Sequence, residues 1–198
     1  AGVRLWGHQA WRHPTVQLHP VRVQLVAGLC AGHAWCVGVS WLRGKEMRGV
    51  WQQFGGSQAR TRPTDVLSFP ACVPPECHDL GDVLLCPEEI WRRVVRGEYS
   101  DFEAEYLDRH GAAIAALYPS QHLPLTPRDW LDLHTDRVLI HGMCHLHGHT
   151  HDREEDWAAM LAEEARLQDQ LYSFLCSLQD TDPSLCQRLR HTVRSSTL

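Results

Sequence analysis

Five histidines lie within Leu139–Asp152 (LIHGMCHLHGHTHD), out of fourteen in the whole chain. On a helix, His141 and His145 stand one turn apart on the same face. Gly148 follows where a helix can stop, because glycine takes the left-handed conformation at little cost. A sharp turn there swings His151 back toward the open end of the pair. Three imidazoles converging on one point form a catalytic zinc site, with the fourth position left to water. The spacing therefore predicts one Zn2+ per chain held by His141, His145 and His151, with His149 as the alternative third ligand. If the helix persists to Gly148, His147 faces away from His145.

The same spacing resembles the extended zinc-protease signature HExxHxxGxxH, with one difference that decides the chemistry. That signature places Glu second, as the general base of peptide hydrolysis. Here the second residue is Gly142, which takes no proton. The reading is a metal site without that protease chemistry.

The elements that must position these residues follow from the patterning along the chain. Residues 1–20 mix Trp, His, Pro and Gly without a period and predict an irregular arm. Val21–Val26 alternates and predicts a strand; Cys36–Leu42 predicts a second. Glu46–Phe54 has helical spacing, with Met47, Val50, Trp51 and Phe54 on a core face. The basic loop Gly55–Arg62 runs into Pro63-Thr64-Asp65, and VLSFP and VLLC read as short apolar strands. Pro87 opens a helix, PEEIWRRVV, with acids early and arginines late; Ile90, Val94 and Val95 are expected to face the sheet. Phe102–Tyr118 has helical character weakened by Gly111. Thr126 or Asp129 caps a helix running into the histidines. Asp156–Leu175 has a 3.6-residue period that includes Met160 and Glu164. Beyond Gln179 the chain is polar and reads as a tail.

Length and composition fit one domain, taken as residues 21–178 between an arm (1–20) and a tail (179–198). No run of apolar residues is long enough to span a membrane. Eight cysteines without a CxxC pair read as buried or free thiols in a reducing compartment. The net charge of −5 conceals an asymmetry: residues 1–62 carry eight Lys/Arg and one acid, Glu46. A basic half attracts phosphate; an acid-poor N-terminus is also what an organelle-targeting remnant leaves. Both readings stand.

Three segments in this order, PTDVLSFP (Pro63–Pro70), LGDVLLC (Leu80–Cys86) and HGMCHLHGHTH (His141–His151), resemble the YbeY-type endoribonucleases, the rRNA maturation factors of bacteria and organelles. A helix with Met and Glu four apart completes the pattern, matched by Met160 and Glu164. The resemblance covers about residues 36–96 and 131–175. It implies an α+β fold: a small mixed sheet of about four strands packed with helices, the metal-binding helix lying across it. It implies zinc on His141, His145 and His151 and hydrolysis of single-stranded RNA in ribosomal RNA maturation and ribosome quality control. The expected partners are rRNA and the small ribosomal subunit, in an organelle if the source is eukaryotic and otherwise in the cytoplasm.

The sequence departs from that family in three places. GYDH becomes GHTH, so His149 and Thr150 replace Tyr and Asp. The family's arginine before PTD is displaced, and Arg60, or Arg62 in its place, is the expected catalytic guanidinium. An insertion at about 97–130 is expected to form a surface lobe. Asp65 and Asp82 are candidate bases or supports of the site; Trp51, Phe54 and Trp91 are candidate stacking surfaces for bases. Two other functions remain open: a ribosome-assembly factor whose zinc is structural, and a metallohydrolase of another substrate.

Overall fold

Alternation in CVGVSW puts Val37, Val39 and Trp41 on one side of a strand and Gly38 and Ser40 on the other. In the computed structural model, which describes residues 2–6, 18–32, 34–54, 64–72, 77–117 and 125–190, this segment is central to a sheet. Strands β1 (Gly2–Trp6), β2 (Cys36–Trp41), β3 (Val66–Pro70) and β4 (Asp79–Leu85) form a four-stranded sheet in the order β1-β2-β4-β3. The first three in space are parallel and β3 runs antiparallel to β4 at the edge. Val39 sits opposite Val83, and Val83 opposite Ser68, so Val37, Val39, Trp41, Val83, Leu85, Val66 and Ser68 share one face. Helices α1 (Pro20–Ala31) and α5 (Pro127–Leu146) cover that face. The opposite face carries the exposed Asp82 and an Arg4–Asp79 ion pair at 2.9 Å. The fold is α+β with a mixed sheet, as the sequence predicts.

Further helices are α2 (Gly44–Phe54), α3 (Pro87–Val95), α4 (Ser100–Leu117), α6 (Glu154–Thr181) and α7 (Pro183–Arg190). Among the described residues no helix is long and apolar enough to cross a membrane. All eight cysteines are free thiols.

Several expectations are corrected. The arm expected over residues 1–20 contains a regular strand, β1, whose Val3 and Leu5 pack on the core. Val21–Val26 is not a strand but part of α1. His19 caps that helix through Nδ1, which accepts from the Arg22 N–H at 3.2 Å, and Pro20 supplies its first turn. Its buried residues 23, 26, 27, 30 and 31 follow helical spacing, which outlasts the short alternation. The polar tail is corrected as well: α6 continues to Thr181, Asp182 caps α7 through the Leu185 N–H at 2.9 Å, and Cys186 and Leu189 are buried.

Residues 97–117 of the expected 97–130 insertion pack on the core instead of forming a surface lobe, and residues 118–124 lie outside the described residues. Tyr106, Ile114 and Leu117 of α4 are buried, and the Tyr106 hydroxyl meets that of Tyr172 on α6 at 2.6 Å. Val95 is 59% exposed rather than turned to the sheet, and on α2 only Met47 is buried while Phe54 is 60% exposed.

Candidate metal centre

α5 begins with a reciprocal cap. The Thr126 hydroxyl accepts from the Asp129 N–H, and the Asp129 carboxylate accepts from the Thr126 N–H at 2.8 Å. From Leu131 to Leu146 nearly every side chain is buried, because α5 is packed by α1, α3, α6, β3 and β4.

Gly142 lets the helix approach the sheet. A Cβ there would lie 2.9 Å from Val83 Cγ1, 3.0 Å from Val66 Cγ2 and 3.1 Å from Ser68 Oγ. The Ser68 hydroxyl donates to the Gly142 carbonyl at 2.9 Å, fixing the helix over β3. Gly142→Ala is expected to lower stability by about 1–3 kcal/mol through overpacking. Urea denaturation checks this, and a loss below 0.5 kcal/mol on that same scale would mean the helix shifts freely.

The helix stops where the sequence predicts. Gly148 takes φ +89°, the Gly148 N–H donates to the His145 carbonyl, and the His149 N–H donates to the Cys144 carbonyl. The chain turns back and brings His151 against the helical pair. Ring centroids are 4.8 Å apart for His141–His145, 5.6 Å for His141–His151 and 5.0 Å for His145–His151. One nitrogen from each ring lies within 4.8 Å of the others, a grouping that could hold a metal ion.

The tautomers follow from the hydrogen bonds. His145 Nδ1 lies 2.9 Å from the His149 carbonyl, which can only accept, so Nδ1 carries the proton. His141 Nδ1 lies 2.7 Å from Glu164 Oε1, again an acceptor when ionised. Both rings therefore present Nε2 lone pairs, and these nitrogens face each other at 3.2 Å. Two zinc–nitrogen bonds at the tetrahedral angle place nitrogens about 3.3 Å apart. Burial first, and then the neighbouring His141, hold His145 below the ordinary histidine value and favour the neutral ring that coordinates.

The other histidines of the stretch are placed differently. His147 Nε2 donates to the Cys30 carbonyl at 3.0 Å, and His149 contributes its backbone oxygen to His145. Burial pushes the Cys144 thiol up to about 12, so it is no thiolate donor at neutral pH.

The cluster opens on a cleft of about 900 Å³ walled by β3, the start of α4 and the helix itself. Thr64, Asp65, Tyr99, Phe102, Arg93, Arg137 and Trp51 all line it. Asp65 is committed: its Oδ2 accepts from Arg93 Nη1 at 2.7 Å and from the Tyr99 hydroxyl at 3.0 Å. Asp82 lies on the far face of the sheet, away from the cleft, because its register is odd relative to Val83. Of the expected stacking residues, Trp51 lines the cleft, Phe54 packs edge-on against Phe69 at 5.3 Å, and Trp91 is packed against the core. Arg60 and Arg62 lie outside the described residues.

Two groups near the histidines escaped the sequence reading as parts of the site. In the sequence Glu164 stands out only as a family match and a stripe position; a carboxylate on the buried face of α6 is the available signal. Arg137 gives the same kind of signal, one turn before His141 in a helix that is mostly buried.

Fold and cluster together define an α+β chain with a three-imidazole group, two rings at the end of a central helix and the third on the turn after it, open to a cleft. No family model matches the chain. It is 30% identical over 112 residues to the endoribonuclease YbeY of Legionella pneumophila strain Corby, and equally to those of strains Lens and Paris. The match takes in 54% of this chain and 52% of each relative, so the chain spans about half the length of the curated relatives it matches. The similarity supports a distant, YbeY-like relationship.

Proposed function

We propose that the chain is a zinc-dependent endoribonuclease that cuts single-stranded RNA in ribosomal RNA maturation and ribosome quality control, working on rRNA at the small ribosomal subunit. The observation that carries this reading is the pair of Nε2 lone pairs at 3.2 Å, with His151 swung against them at the edge of an open cleft. The similarity to endoribonuclease YbeY supplies the reaction class.

His141, His145 and His151 hold the ion. Zinc, when bound, supplies a Lewis acid for a phosphoryl oxygen and a water of near-neutral pKa. Glu164 accepts the His141 Nδ1 proton, fixing that ring's tautomer and raising its basicity as a ligand. The His149 carbonyl does the same for His145. Arg60, from the loop before Pro63, is the guanidinium that the family resemblance assigns to the developing phosphate charge. Aromatic groups on the cleft wall offer faces to unstacked bases.

Two observations weigh against the other readings. A structural zinc site is closed by four protein ligands, and among the described residues this group has three members. A zinc protease of the signature type needs a carboxylate at position 142, where Gly142 is pressed on Val83 and Val66.

The test uses purified chain with single-stranded and duplex rRNA fragments, before and after a chelator and after zinc is restored. Cleavage confined to single strands, lost with the chelator and regained with zinc, is the expected result. A folded chain with no turnover above its metal-free control contradicts the nuclease reading and favours an assembly factor. Replacement of Glu164 grades the support it gives the ion: Glu164→Gln, which keeps an acceptor oxygen, is expected to weaken zinc affinity by about tenfold, and Glu164→Ala by up to about a hundredfold. Competition with a chromophoric chelator measures both.

A further inference from the structure

The cleft contains a cation that no carboxylate among the described residues neutralises. Arg137 is half-buried, one turn before His141 on the same face of α5 and about 6 Å along the axis. Its guanidinium carbon lies 3.9 Å from the centroid of the Phe102 ring and 5.8 Å from that of Tyr99. Contact with the Phe102 face restrains the guanidinium through a cation–π attraction.

Each neighbouring acid is engaged elsewhere. Asp65 accepts from Arg93 and Tyr99, Glu98 pairs with Arg92 at 3.2 Å, and Glu103 Oε1 lies 3.1 Å from His134 Nε2. Among the described residues Arg137 has no hydrogen bond or ion pair to a carboxylate. Arg93, the other arginine lining the described part of the cleft, is held by Asp65 and Glu89. A half-buried guanidinium held over an aromatic face, with no hydrogen-bond partner among the described residues, is built for an anion that arrives from solution.

We propose that Arg137 is a phosphate-binding residue of this cleft, its fork oriented by Phe102 toward the non-bridging oxygens of a phosphate lying against the three histidines. That the phosphate is a link of an RNA strand rests on the nuclease reading above; the anion site does not. Arg137 thus approaches the phosphate from the helix, whereas Arg60 belongs to the loop before β3. Phe102 is a positioning residue, acting through the guanidinium.

The test titrates inorganic phosphate into the zinc-loaded full chain. The Arg137 Nε–H resonance, assigned by its absence from Arg137→Lys, is expected to shift on saturation. Calorimetry is expected to find phosphate bound about tenfold more weakly by Arg137→Gln, less weakened in Arg137→Lys, and weakened a few-fold by Phe102→Leu. Zinc content and melting temperature verify that each variant is folded, and the Phe102 variant carries the test if Arg137→Gln is not. An unmoved resonance, or equal phosphate affinity in wild type and Arg137→Gln, overturns the proposal. Single-stranded RNA cleavage by the same proteins separates the two ideas. Phosphate bound through Arg137 without any RNA cleavage leaves the anion site standing and removes the nuclease; normal RNA cleavage by Arg137→Gln with unchanged phosphate affinity does the reverse.

Discussion

A chain carrying His145→Ala is expected to purify with far less than one zinc and to cleave single-stranded RNA at least about a hundredfold more slowly than wild type. His145 is the middle of the cluster: its Nε2 faces that of His141 at 3.2 Å, and its ring lies 5.0 Å from that of His151. Without it, His141 and His151 remain as two donors with nothing between them, and a three-point grip becomes a two-point one. The loss is local. His145 is only half-buried, and α5 is held by the Thr126–Asp129 cap and by Gly142 on the sheet, neither of which the substitution touches. Far-UV circular dichroism should therefore match wild type while metal analysis and RNA cleavage do not. Wild-type zinc content and cleavage in this variant would remove His145 from the site.

The largest effect on stability is expected away from the cleft. Arg22 of α1 meets Asp136 of α5 with Nη2 2.6 Å from Oδ2, and Nε donates to both carboxylate oxygens at 3.0 Å. The two side chains are 5% and 1% exposed, and Arg22 Nη1 also donates to the Leu189 carbonyl of α7 at 3.3 Å. One guanidinium thus joins three helices. Removing it strands a buried carboxylate, so Arg22→Met is expected to cost about 3–5 kcal/mol. Replacing both partners with apolar residues, Arg22→Met with Asp136→Leu, removes the stranded charge and is expected to recover most of that loss.

The deficit should depend on pH. Burial already pushes the neighbouring Asp132 carboxyl up to about 7. A carboxyl whose folded value is raised contributes stability that is fully present below its unfolded value and is lost as pH rises through the folded one. Without Arg22, the two buried carboxyls both take that sign, so the deficit should be smaller near pH 4 than at pH 7. Urea denaturation of the four proteins of the cycle at both pH values measures it. A single-variant cost near zero at pH 7 would mean that the pair is hydrated.

What the sequence made legible was local. The His141–His145 spacing and the stop at Gly148 are set by helix geometry and glycine's conformational freedom, and both hold in the fold. VLSFP and VLLC are short apolar runs bounded by proline and cysteine, and they read as strands for that reason. Val21–Val26 misled because six residues of alternation satisfy a strand and a helix alike. The extension through Ala27, Cys30 and Ala31 decided for the helix.

Asp65 and Asp82 look equivalent as acids near strands, yet Asp65, just before β3, is held at the cleft by Arg93 and Tyr99 while pairing register sends Asp82 to the far face, and no local pattern encodes either. Glu164 and Arg137 depend on tertiary packing. Apart from Glu164's place in the family pattern, each shows in the sequence as a charge on a face that ought to be apolar, and its partner, His141 or Phe102, lies 23 or 35 positions away in the chain.

On the proposed reading three imidazoles, and no cysteine, grip one zinc and leave a side of it open to the cleft. X-ray absorption at the zinc edge of the purified, zinc-loaded chain tests this most directly. One zinc per chain is expected, with three nitrogen scatterers of imidazole type and one further light-atom ligand, all at about 2.0 Å. Zinc that fails to stay with the chain, or a sulfur scatterer near about 2.3 Å, would contradict it.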